Sequence, residues 1–132
     1  MLGELISEGN GKRTSRRVLS TDPVFKVEAS FEETIKIQGV EGMQIGTYSA
    51  SPKSDGSLDG TGEGVINTAD GMVTWKGLGV GKLGAGGAVS YRGALSFHTT
   101  AAKFGNLNGV AGVFEFDVDA AGNTHSKTWV WK

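Results

Sequence analysis

Apolar and polar residues alternate with a period of two along most of this chain, a rhythm that belongs to strands with one buried face. Phe25, Val27, Ala29 and Phe31 fall on one side of an extended segment, with Lys26, Glu28, Ser30 and Glu32 on the other. Ile35 and Ile37 flank Lys36. Val110, Gly112, Phe114, Phe116 and Val118 alternate against Ala111, Val113, Glu115, Asp117 and Asp119. In the last segment Trp129 and Trp131 share one face, while Thr128 and Val130 take the other. Only Thr99 to Gly105 has room for helix, and for a turn or two at most.

Glycine then narrows the choice among β folds. The chain has 22 glycines in 132 residues, more than twice the ordinary usage of about 7%. Asp55-Gly56, Asp70-Gly71 and the run Asp119 to Asn123 read as turns, and Pro23 and Pro52 lie at segment edges. Many other glycines fall inside the alternating segments. The stretch Gly71-Met-Val-Thr-Trp75-Lys-Gly77 returns sixteen residues later as Gly87-Ala-Val-Ser-Tyr91-Arg-Gly93. Each copy keeps an aromatic, a base and a glycine in the same order. That spacing is too short for a helical repeat and fits consecutive long strands joined by tight turns. Glycines within strands let a sheet coil, which closure requires. The expectation is an all-β fold over residues 1–132, an antiparallel meander closed into a barrel of about eight strands. A two-sheet sandwich is the alternative.

Composition excludes several kinds of function. The net charge of −1 gives no general attraction to nucleic acid. The one basic cluster, Lys12, Arg13, Arg16 and Arg17, has no interleaved aromatics and reads as a solvated strand face. The absence of cysteine removes disulfides, thiolate metal sites and thiol nucleophiles. The first residues, with Glu4 and Glu8, do not read as a signal peptide, and no apolar run approaches a membrane helix. The expected compartment is the cytoplasm.

Motifs that resemble catalytic or cofactor sites fail on their chemistry. Gly79, Gly81 and Gly84 spell a dinucleotide fingerprint, but Gly86, Gly87 and another strand follow where a helix must begin. Asp117, Asp119 and Gly122 open like a calcium loop, but Thr128 stands where a bidentate Glu is needed. His98 and His125 have no ligand-spaced partners, so neither metal nor other cofactor is expected. Glu63, between Gly62 and Gly64, reads as a possible buried partner of Arg92, a general base, or an outward-facing acid. Phe25, Phe31, Phe114 and Phe116 read as core. Trp75 and Tyr91 share a face with Val73 and Val89 and belong either to the core or to a cavity wall. The candidate ligand-site residues are therefore Glu63, Trp75, Tyr91, Arg92, Phe97, His98 and Glu115.

From Gly62-Glu-Gly64 through Trp75-Lys-Gly77, Tyr91-Arg-Gly93, Phe114-Glu-Phe116 and Trp129-Val-Trp131, about half the chain is similar to small, uncharacterised bacterial proteins. Its glycine-patterned strands resemble the calycin-type barrels of the allene oxide cyclase and dirigent group. That resemblance implies an internal cavity for a small hydrophobic molecule and a dimeric or trimeric assembly, and carries over no catalytic residue. Three functions stand as expectations: a ligand-binding barrel, a cyclase or isomerase using Glu63 or Glu115, and a structural or protein-interaction module.

Overall fold

The computed structural model describes residues 1–132. Eight antiparallel strands follow one another around a closed barrel: β1 (Leu2–Ser20), β2 (Lys26–Ile37), β3 (Val40–Pro52), β4 (Leu58–Thr68), β5 (Gly71–Leu83), β6 (Val89–His98), β7 (Ala111–Val118) and β8 (Asn123–Trp131). The seam is made by β1 and β8, with Ser7 opposite Thr128, Gly9 opposite Ser126 and Gly11 opposite Thr124. Every strand thus has two neighbours, and closure replaces the sandwich alternative. The glycine-rich run after Trp75 is strand up to Leu83, followed by a single 3₁₀ turn at Ala85–Gly87.

The alternation predicts the wall's inner face well. Phe31, Ile35 and Ile37 on β2, Val73 on β5, Tyr91 and Phe97 on β6, and Phe116 and Val118 on β7 are all buried. Phe25 is the exception. It is 42% exposed because it lies in the loop before β2 begins at Lys26, where strand parity does not apply. The outer wall carries charge in cross-strand rows, such as Glu8–Lys36–Glu41 and Arg92–Glu115–Lys127. Apolar residues share that outer face, among them Met43, Ile45, Met72, Leu78 and Val80. No helix is long and apolar enough to cross a membrane.

The pseudo-repeat acquires a physical meaning in this wall. Trp75 pairs across β4–β5 with Gly64, and its indole lies directly on that glycine, where a Cβ would collide with the ring. Tyr91 pairs across β5–β6 with Gly81, and a Cβ there would sit 2.6 Å from the tyrosine ring. Each inward aromatic lies flat over a neighbour that has no side chain. This lets the sheet coil tightly while large rings remain inside.

One end of the barrel is plugged. The connection between β6 and β7 contains a 3₁₀ segment, Ala102–Leu107, close to where the sequence allows a turn of helix. Its Phe104 and Leu107 are almost completely buried against Ile6, Ile35, Ile37, Ile66, Val73 and Phe97. Asn108 clips the segment in place, accepting from the Thr99 amide at 3.0 Å and donating to the Thr99 carbonyl at 2.9 Å. A second apolar cluster towards the other end comprises Phe31, Ala50, Leu58, Tyr91, Phe116 and Val118.

Candidate functional site

Between the two clusters the barrel is not completely filled. A cavity of about 70 Å³ lies inside the wall, equivalent to roughly two water molecules of liquid volume. Trp75, Tyr91, Leu95, Phe97, Phe114 and Phe116 supply its apolar side chains. On β4 and β5 its boundary is bare backbone at Gly60, Gly62, Gly77 and Gly79. These four stand opposite one another in the ladder, Gly60 with Gly79 and Gly62 with Gly77. A Cβ at Gly60 would lie 2.9 Å from the Tyr91 ring and one at Gly79 3.1 Å from the Phe114 ring, so the absence of side chains there lets these rings stand against the wall.

The remaining side of the cavity is polar: Ser7, Gln44, Ser126 and Thr128 border it. Behind Gln44 and Ser126 sits Glu33, only 1% exposed. Its Oε1 accepts hydrogen bonds from Gln44 Nε2 at 2.9 Å and from Ser126 Oγ at 2.7 Å. Its Oε2 accepts one from Thr124 Oγ1 at 2.8 Å. Gln44 Oε1 in turn accepts from Trp75 Nε1 at 2.8 Å. A carboxyl in an apolar interior is tolerated only when its oxygens are hydrogen-bonded in this way. Gly9 makes room for it, since a Cβ at that position would lie 2.6 Å from Glu33 Oε1. The network fixes the orientation of the Trp75 indole and presents an amide and a hydroxyl towards the cavity.

Two tyrosines border the same space. Tyr48 and Tyr91 meet edge to face with ring centroids 5.3 Å apart. Burial pushes the Tyr48 phenol above its ordinary range, while the Arg13 and Arg16 charges pull it back. Burial also raises Tyr91, with a smaller contribution in the same direction from Tyr48.

The structure divides the seven residues singled out from sequence. Trp75, Tyr91 and Phe97 lie on the inner wall and border the cavity. Glu63, Arg92, His98 and Glu115 do not join them. Glu63 faces outward and pairs with Lys76 at 3.5 Å, both side chains being largely solvated. Arg92 points away from the cavity, to Asp117 at 3.0 Å and Glu115 at 3.7 Å. Strand parity explains the split, because Arg92 neighbours inward Tyr91 and Glu115 lies between inward Phe114 and Phe116. His98 is exposed beside buried Phe97 for the same reason. Glu63 and Glu115 therefore cannot serve a reaction inside the barrel. The interior acid is Glu33, which sequence reasoning missed although it stands in phase with Phe31 and Ile35. Gln44, Tyr48 and Ser126 were missed as well. No three His, Asp or Glu side chains converge as metal ligands would.

No protein-family model and no curated protein matches the sequence. Solved structures do match the fold. A protein with unknown function from Clostridium acetobutylicum aligns with a TM-score of 0.82 at 12% identity, over 98% of this chain and 97% of its own. A β-barrel-like protein from Acinetobacter baumannii aligns with a TM-score of 0.80 at 14% identity, over 100% and 96% of the two chains. An enzyme from Penicillium herquei aligns with a TM-score of 0.66 at 17% identity, over 96% and 92%. At these identities the likeness is one of architecture, and the chain shares its barrel fold with these bacterial and fungal proteins.

Proposed function

We propose that this barrel binds a small, mainly apolar molecule in its interior. The observation that carries this reading is the cavity bounded by aromatic rings on one side and glycine backbone on the other, with a polar edge at Gln44 and Ser126. Apolar lining with a few convergent polar groups is the usual composition of a small-molecule site. The volume is that of about two waters, so even a single aromatic ring, which fills a cavity of about 150 Å³, must displace side chains, and Tyr48 is one of the half-buried residues at its margin. The resemblance of the glycine-patterned strands to allene oxide cyclase and dirigent barrels agrees with this reading. Native mass spectrometry of gently purified protein tests it. The expected spectrum shows a fraction carrying a small adduct, or acquiring one from added single-ring aromatics. A spectrum of bare protein at saturating aromatic contradicts it.

A second reading, a cyclase or isomerase, is favoured by two observations: the barrel neighbour from Penicillium herquei is an enzyme, and Glu33 is an interior carboxyl. In this reading the Ser126 hydroxyl, 2.7 Å from Glu33, relays a proton between the carboxyl and a confined substrate. Glu33→Gln is then expected to abolish turnover of a bound molecule while retaining its binding. Equal turnover by the variant excludes the reading.

A further inference from the structure

The basic cluster that reads in sequence as one solvated face is split by the fold. Lys12 stands opposite Glu32, and Arg17 stands opposite Glu28 and bonds it at 3.4 Å on the outer wall. Arg13 and Arg16 go the other way. Arg13 stands opposite Phe31, and Arg16 opposite Ala29, both buried inner-face residues. Side chains directly opposite each other in a ladder share a side. Residues three apart on a regular strand face opposite sides. Here the register slips between Arg13 and Ser15, so that Thr14 is an extra residue and both arginines stand on the inner-face side of the ladder, Arg13 half-buried and Arg16 exposed.

Their surroundings give them no anion. Eight ion pairs occur in the molecule, and neither Arg13 nor Arg16 takes part in any of them. Arg16, Ala29 and Tyr48 lie in one row across β1, β2 and β3, so the residue between the arginine and the tyrosine is an alanine. Arg13 is half-buried at the rim, its guanidinium against Gly122 of the turn between β7 and β8. The influence of both charges on Tyr48 agrees with this placement. Tyr48 also borders the cavity. Glu33, the nearest interior acid along β2, is already held by Gln44, Thr124 and Ser126.

We propose that Arg13 and Arg16, with the Tyr48 hydroxyl, form an anion-binding rim on the cavity, so that the molecule it takes is a small aromatic or aliphatic body bearing a carboxylate. This rests on the ligand-binding reading and specifies its ligand class. Guanidinium groups are well matched to a carboxylate in geometry and charge. The apolar part of such a ligand lies against Tyr91 and Phe97, with its head at the rim.

The test uses two single-ring probes that differ mainly in charge, phenylacetate and phenylacetamide, titrated into the full-length chain and followed by amide NMR shifts. Phenylacetate is expected to bind about tenfold more tightly than the amide, the size of one charge-assisted contact pair. In Arg13→Gln/Arg16→Gln it is expected to fall to the level of the amide, whose own binding is unchanged. Arg16 is exposed, so Arg16→Gln alone keeps the fold and is expected to lose about threefold if the double variant does not fold. Equal wild-type binding of the two probes, or phenylacetate binding unaffected by these substitutions, overturns the anion rim and leaves the ligand-binding barrel standing. Failure of both probes to bind the wild type overturns both readings.

Discussion

Glu33 is the residue on which the interior depends most. Its replacement by alanine leaves buried Gln44 and Thr124 and part-buried Ser126 as donors without an acceptor, and unanchors the Gln44 amide that holds the Trp75 indole. The expected cost is about 3 kcal/mol, the sum of a few unsatisfied buried groups, read as a lower urea midpoint. A loss below about 0.5 kcal/mol, the range of an inert surface change, contradicts the network. Gly64→Ala is expected to cost roughly 1–3 kcal/mol, because the indole it strikes is held by Gln44 and cannot move aside freely. The two tyrosines give a spectroscopic check, since Tyr48 and Tyr91 are the only ones in the chain. Burial favours their neutral form in the folded state, so the unfolded chain ionises first. This contribution to stability is intact below about pH 10, the ordinary phenol value, and declines as the pH rises beyond it. Phenolate absorbance should stay low through pH 10 and appear only above it, and a midpoint at 10 contradicts their burial. Trp75, Tyr91 and Phe97 were legible in the sequence through their phase with Val73 and Val89. Glu33 was equally in phase, but an isolated acid on a strand ordinarily points to water. Arg13 and Arg16 were illegible, because the bulge at Thr14 reverses the parity that any pattern reading assumes.

The 3₁₀ segment between β6 and β7 shows how a minor element closes the barrel. Phe104 is completely buried although Ala102, Lys103, Gly105 and Asn106 around it are exposed, so its burial reflects the mouth of the barrel and not its own helix. Phe104→Ala removes most of the plug and is expected to cost about 3–4 kcal/mol, with the Thr99–Asn108 amides losing hydrogen-exchange protection. Retention of both stability and protection contradicts the plug. In the sequence this stretch offered a turn of helix but nothing to show what it covers. That information lies in the far-apart residues that converge on it, from Ile6 to Val73. The strands were easier to read. Their alternation is local, and among the aromatics read as core only Phe25 was misplaced, by the loop that separates it from β2.

Closure of the sheet connects these features. Mid-strand glycines announced strong coiling, but the sequence did not show that those on β4 and β5 stand face to face. Their alignment requires the register between strands, and with it the wall becomes a cavity and not a packed core. Inward aromatic rings and a polar edge, whose Gln44 and Ser126 are held by Glu33, then border one space drawn from all eight strands. The hollow interior is the central claim. It is tested most directly by a crystal structure of the protein soaked in bromobenzene, with bromine located by anomalous scattering. The account predicts a peak inside the barrel, between the Trp75, Tyr91 and Phe97 rings and the Gly60–Gly79 ladder pair. Bromine found only on the outer surface, with the interior unchanged at saturation, would contradict it.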